Sequence, residues 1–327
     1  MTEKVVQTLE VSEVETGIRL DRWFKRRFPA LTHGRLEKLL RTGQVRVDGK
    51  RAKAKNRLEQ GQMVRVPPLG EAAQSASERH GRQATAAETD DLLQRVLLRD
   101  DTVIVLNKPP GLAVQGGTRT PKHLDAMLDV LRFGAAERPS LVHRLDRDTS
   151  GILLLARHRK SAAALAEAFQ KKTARKLYWA LVAGAPPDHG TIEAPLDKQP
   201  GPRGESMVVS ATGKRAITHF QVVERSGNRL AWLALFPVTG RTHQLRVHCA
   251  HLGTPIVGDA KYAGREAFPR LAGLGRGLHL HARAIVMPHP EGGWIEAEAP
   301  LPEHMATSFS LLGFDFRQPK ASLVVFE

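Results

Sequence analysis

The chain has 327 residues, 41% hydrophobic and 25% charged, a balance that fits a packed protein and excludes wholesale disorder. Its 49 Lys and Arg against 34 Asp and Glu give a formal net charge of +15, which points to a polyanionic partner. No uncharged apolar run approaches the ~20 residues a bilayer-spanning helix needs, so no membrane partner is expected, and the single cysteine, Cys249, excludes an internal disulfide framework and a multi-cysteine zinc site.

Residues 1–17 form an N-terminal segment with four Glu and without the apolar core of a signal peptide, which predicts a cytoplasmic protein. Residues 18–68 hold 15 Lys and Arg against Asp21, Glu37, Asp48 and Glu59, a net of +11. Within them Leu20, Trp23, Phe24 and Phe28 recur at helical spacing, and Leu36, Leu39 and Leu40 do so after a turn at Pro29 to Thr32. Val45, Val47, an Asp48-Gly49 turn and Met63 to Val66 predict a small hairpin-like sheet beneath the two helices. Arg22, Lys25, Arg26, Arg35, Lys38 and Arg41 then fall on the outward helix faces. Such a face is either simply solvated or made for a nucleic acid, and the self-repulsion of so many cations favours the second. Residues 69–91 are poor in large apolar side chains and read as a flexible linker.

Residues 92–327 read as an α+β domain built on a mixed, mainly antiparallel sheet. Strand patterns recur at Thr102 to Leu106, Gly151 to Ala156, Lys176 to Val182, Ala216 to Val223, Leu230 to Phe236, Leu278 to Ala284 and Trp294 to Glu298. Helical patterns occupy about His158 to Lys171 and Thr242 to Leu252, the second stopped by Gly253. The tail after residue 302, with Phe309, Leu311, Leu312, Phe314 and Phe316, is apolar enough to pack on something. No glycine-rich dinucleotide or phosphate-loop signature is present.

Three clusters can carry chemistry. The first, HRLDRDTSG at 143–151, runs straight into an apolar strand. Asp148 and Ser150 suit ordinary turn chemistry. Asp146, ringed by His143, Arg144 and Arg147, is either another turn residue or a carboxylate held ionised beside a phosphodiester. The second cluster, GRTHQLRVHCAHLG at 240–253, offers His243, His248, His251 and Cys249, but only His248 and His251 share a helix face and no carboxylates accompany them. Arg241 and Arg246, near the start of the predicted helix, suit an anion better than the histidines suit a metal. In the third cluster, alternation puts Lys176, Tyr178 and Ala180 on one strand face, and Tyr178 is either core or a platform on which a base stacks.

The small basic module, with RLDRWFKRRF, HGRLEKLLRTGQVRVDGKR and a closing GQMVRVPP, resembles the alpha-L RNA-binding domain. The remainder resembles the RluA-type family of RNA pseudouridine synthases, through HRLDRDTSG, VLNKPPGLAV (105–114), KLYWALV (176–182), GRTHQLRVHCAHLGTPIVGDAKY (240–262) and LHLHA (278–282). VRVPP and AVQGG look most like the RluC branch, which acts on large-subunit ribosomal RNA, although Gln115 stands where that branch has His. The resemblance implies Asp146 as the catalytic carboxylate, Tyr178 packing on the uracil, and Arg241 orienting Asp146 through an ion pair. Arg144 would wedge into the stacked RNA, with His143 and Arg147 as further RNA contacts. It implies no cofactor and no metal, RNA as the partner, and a monomer. Two alternatives stand beside it: the same chemistry on transfer RNA or another ribosomal site, and a non-catalytic RNA-binding assembly factor.

Overall fold

A computed structural model describes residues 6–28, 31–69, 85–116, 120, 122–201, 204–264, 269 and 271–317. The chain divides into two compact units, residues 1–83 and 84–327.

In the first unit, strand β1 (Gln7–Glu10) is followed by helices α1 (Leu20–Arg27) and α2 (His33–Arg41), then by β2 (Arg46–Val47), β3 (Lys50–Arg51) and β4 (Met63–Val66). The apolar positions that predicted the helices are the buried ones: Leu20, Trp23 and Phe24 on α1, and Leu36, Leu39 and Leu40 on α2. Thr32 caps α2 by accepting the Arg35 amide. Pro29 and Ala30 of the predicted turn lie outside the described residues. Residues 7–10, set apart above as an N-terminal segment, belong to this unit's sheet, which runs β1-β4-β2-β3. They are held there because they cover the free edge of β4 and lead into the fully buried Val11.

Arg27 is paired with Glu15 and lies over the Trp23 ring, and Arg19 is paired with Asp21. Arg22, Lys25, Arg26, Arg35, Lys38 and Arg41 are exposed and, among the described residues, have no acidic partner. The cationic surface predicted from helical spacing is therefore displayed rather than internally neutralised.

The second unit opens on α3 (Ala86–Gln94), which begins inside the stretch read as linker. Thr85 and Glu88 form a reciprocal capping box there, a start signal that outweighs the low apolar content. Residues 70–84 of that stretch lie outside the described residues. Then follow β5 (Val96–Arg99), β6 (Val103–Lys108), the short α4 (Leu124–Met127), β7 (Ser140–Leu141), β8 (Ser150–Ala156), α5 (Arg159–Gln170) and β9 (Arg175–Ala183). After these come β10 (His189–Glu193), the hairpin β11 (Leu196–Gln199) and β12 (Ser206–Val209), β13 (Ile217–Ser226), β14 (Leu230–Pro237), α6 (Gln244–His251), β15 (Leu280–Pro288), β16 (Trp294–Glu298) and α7 (Glu303–Leu311).

Ten of these strands form one sheet in the order β10-β13-β14-β9-β15-β8-β6-β5, with β16 added to β15 and β7 to β8. Its pairings are antiparallel except one: β15 meets β8 in parallel, through His281 opposite Ser150 and Ala282 opposite Gly151. Every residue of β8 is buried, as expected for a strand covered on both faces. On one face of β9 and β14, Trp179 and Trp232 meet edge to face with ring centroids 4.6 Å apart, and the tail closes over them. Phe309 of α7 and Phe314 pack on Trp232, so the tail covers this core. Alternation sends Tyr178 to the other face, against which α6 packs through Leu245 and Cys249.

Candidate active site

The one parallel contact of the sheet positions the HRLDRDTSG turn. Gly151 has φ +104°, and a Cβ at that position would lie 2.2 Å from the Ala282 carbonyl oxygen, so only glycine lets the two strands approach so closely. Ser150 Oγ sits 2.9 Å from His281 Nδ1, and His281 Nε2 sits 3.2 Å from the Ala299 carbonyl oxygen. A carbonyl only accepts, so His281 carries its proton on Nε2 and Nδ1 accepts from the Ser150 hydroxyl. Burial pulls the His281 pKa down to about 3, which keeps this clamp neutral and closed. Ala282 also pairs with Tyr178 on its far side, so Gly151, Ala282 and Tyr178 lie level across three strands.

Lys108 anchors the same turn from β6. It is 2% exposed, and its Nζ donates to the carbonyl oxygens of Pro109 (2.8 Å), Leu112 (3.0 Å) and Arg147 (3.0 Å). Three acceptors engage all three protons of the ammonium. Burial draws its pKa down to about 7 against the opposing pull of Asp148 and Asp146. Arg147 adds a bond from its Nε to the Gly111 carbonyl. Leu145 is buried in the core, and its neighbour Asp146, with a side chain 20% exposed, enters a cavity shared with Arg144, Thr149, Lys176, Tyr178, Arg241, His243 and Arg246.

Around that carboxylate the groups differ in kind. Burial first, and then the Asp146 charge, push the Tyr178 phenol well above its ordinary value, so it stays protonated. Lys176, on the same face of β9, is drawn down to about 8 by burial. On the opposite wall Gln244 fixes the start of α6: its Oε1 accepts from the Arg241 amide and the Thr239 hydroxyl, and its Nε2 donates to the Ile217 carbonyl and Thr218 Oγ1.

Three residues singled out from sequence are placed otherwise than expected. Arg241 lines the cavity with its Nε on the Arg215 carbonyl at 3.1 Å, and among the described residues it makes no ion pair with Asp146. The side-chain nitrogen facing Asp146 is His243 Nε2, 3.9 Å away. His143 is not a cation: its Nε2 accepts the Leu154 amide, its ring packs on Phe169, and burial helped by Lys176 pulls its pKa down to about 3. Arg246 does not await an anion, since Asp259 already takes it in a buried bidentate pair at 2.7 and 2.8 Å. His248 has both ring nitrogens engaged, by Thr218 Oγ1 and the Ala194 carbonyl. Lys108 went unnoticed in the sequence although a lysine between an apolar strand and a Pro-Pro turn is a visible oddity. Lys176 was legible as the strand neighbour of Tyr178 two positions away.

This arrangement offers a half-buried carboxylate, a protonated phenol ring and an exposed guanidinium, Arg144, that has no acidic partner among the described residues, at one cavity. Residues 102–251 match the family model described as RNA pseudouridylate synthase. The chain is 39% identical to the ribosomal large subunit pseudouridine synthase C of Yersinia pestis, over 91% of this chain and 92% of that protein. It is 38% identical to the protein of the same name from Escherichia coli K12, over 91% and 94%. Among solved structures, human RNA pseudouridylate synthase domain containing 4 superposes with a TM-score of 0.60 at 29% identity, covering 70% of this chain and 97% of that one.

Replacing Lys108 by Met removes a buried donor from three carbonyls and is expected to lower stability by about 3 kcal/mol, read as a drop in the urea midpoint. An unchanged midpoint would show that the turn is held without it.

Proposed function

The chain belongs to the RluA-type family of RNA pseudouridine synthases, and on that footing we propose that it isomerises specific uridines of large-subunit ribosomal RNA, with Asp146 as the essential carboxylate. Pseudouridine formation breaks the bond between ribose C1′ and uracil N1, turns the detached ring and rejoins it through C5. The base must therefore stay enclosed while it is unattached. A carboxylate serves this chemistry by attacking C1′, by adding to the ring, or by stabilising an intermediate that loses a ribose proton.

The observation that carries the reading is Asp146 itself: a half-buried carboxylate lining one cavity with Tyr178, where among the described residues no arginine or lysine is ion-paired to it. A flat aromatic beside it suits a uracil stacked in place. Extracting that uridine from stacked RNA costs a few kcal/mol, which Arg144 at the cavity and phosphate contacts elsewhere offset. The six exposed cations of the small unit fit the role of a phosphate-binding, alpha-L-like module. The large-subunit target is supported by the printed names of the relatives and by the breadth of the match, about nine-tenths of each chain.

Turnover is tested with purified protein and transcripts of large-subunit RNA carrying 5-tritiated uridine. Wild type is expected to release tritium, and Asp146→Asn to release none while binding RNA within about threefold of wild type, because shape is kept and charge is lost. Substantial turnover by the variant would remove Asp146 from its role, and tritium release from transfer RNA alone would redirect the target.

The small unit is tested separately by changing Arg22, Lys25 and Arg26 together to Gln. If each meets a phosphate, the slope of log affinity against log salt should shallow by about two units or more. An unchanged slope would exclude this face as an electrostatic anchor.

A further inference from the structure

We infer that His243 is a positioning residue for Asp146, held by Tyr262 in the tautomer that points an N–H at the carboxylate. This rests on the reading of Asp146 as the essential carboxylate. It accounts for three side chains that the family resemblance left without a role: His243, Tyr262 and Asp259.

The backbone aims the ring. His243 caps α6 in the left-handed region, φ 53° and ψ 20°, where His is among the few non-glycine residues enriched. From there one ring nitrogen, Nε2, faces Asp146 Oδ1 at 3.9 Å, and the other, Nδ1, meets the Tyr262 hydroxyl at 2.5 Å. The two rings stand edge to face, with centroids 5.5 Å apart.

The hydrogen bonds decide the tautomer. The Met207 amide donates to the Tyr262 oxygen at 3.2 Å, and His243 Nδ1 is the one acceptor that meets the phenolic hydroxyl among the described residues, so the phenolic proton is assigned to Nδ1. Nδ1 is then an acceptor, and the proton of a neutral imidazole must sit on Nε2. Burial keeps the ring neutral by lowering its pKa; Arg246 and Lys261 act in the same direction and Asp146 and Asp259 oppose. Tyr262 is in turn fixed by Asp259, whose Oδ1 accepts the Tyr262 and Lys261 amides while Arg246 grips both of its oxygens. The Arg246 guanidinium also lies over the Tyr262 ring, 5.1 Å from its centroid. A buried ion pair thus holds a tyrosine, the tyrosine holds a histidine, and the histidine faces the carboxylate.

At 3.9 Å the last contact is too long for a hydrogen bond, and it is of the kind that tightens when substrate fills the cavity. A neutral N–H has a particular use here. It orients one carboxylate oxygen and leaves the other free for the substrate.

The test is single-turnover kinetics at saturating enzyme on the tritiated large-subunit transcript, with His243→Ala, His243→Gln, Tyr262→Phe, the double variant His243→Ala/Tyr262→Phe, and Asp146→Asn beside them. His243→Ala is expected to slow the chemical step about 10²-fold with RNA affinity unchanged, as a misplaced reacting group does. His243→Gln should recover part of that rate, since its amide restores a donor. Tyr262→Phe removes one oxygen and no packing, so it should fold normally and slow the step less. The double variant should be no slower than His243→Ala, because the tyrosine acts only through the histidine. Additive losses, a wild-type rate in His243→Ala, or a loss that appears only in RNA affinity would each overturn the inference. An inert Asp146→Asn alongside such a result would leave the reading of Asp146 standing, whereas an active Asp146→Asn would overturn both.

Discussion

The second unit depends on one close approach, that of the Gly151 backbone to Ala282. Antiparallel pairings on either side build two half-sheets, and the parallel contact of two residue pairs is what joins them. Any side chain at position 151 would strike the Ala282 carbonyl, and a φ of +104° would strain it further. Where the strands meet, Ser150 and His281 add a buried neutral hydrogen-bond chain to Ala299. Because Ala282 is paired with Gly151 on one side and Tyr178 on the other, the turn carrying Asp146 and the strand carrying Tyr178 come into register. The site is thus a consequence of how the sheet is joined.

Electrostatics explains how the Asp146 carboxylate stays free of a tight ion pair in so basic a chain. The cations nearest the turn are mostly spent elsewhere: Lys108 on three carbonyls, Arg246 on Asp259, and the Arg241 Nε on Arg215. Among the described residues Asp146 is accordingly left in a cationic neighbourhood with no arginine or lysine paired to it, only His243 at 3.9 Å. In the first unit Arg19 and Arg27 are paired, whereas the six exposed helix cations face outward with no acidic partner among the described residues. Charge is tied up beside the carboxylate and displayed where phosphates can reach it.

Much of this was legible in the sequence, and the residues show why. Trp23, Phe24 and the leucines of α2 lie at helical spacing because one face of each short helix is buried, so periodicity located them. The seven predicted strands are all present, since each carries its own apolar alternation or an uninterrupted buried run. Strands held by partners rather than by pattern were missed. Gln7–Glu10 is a polar segment stabilised by the edge of β4, and His189–Glu193 is one stabilised by β13. The motif HRLDRDTSG gave the location of Asp146 and, with Tyr178 and Arg241, part of its cavity, but not His243 as the group that faces it. Which side chain faces it is decided by hydrogen bonds between residues far apart in the chain, among them Arg241 to Arg215 and Tyr262 to His243. Likewise His143 reads as a cation beside three charged neighbours until its acceptor bond from Leu154 is seen.

The central claim, that Asp146 makes pseudouridine in large-subunit ribosomal RNA, is tested most directly in cells. Pseudouridines are mapped by carbodiimide-dependent primer extension across ribosomal and transfer RNA in a strain lacking the gene, and again after rescue with wild type or with Asp146→Asn. The account predicts that specific large-subunit sites disappear and return only with wild type. No lost site, or sites restored equally by Asp146→Asn, would contradict it and leave an RNA-binding assembly factor.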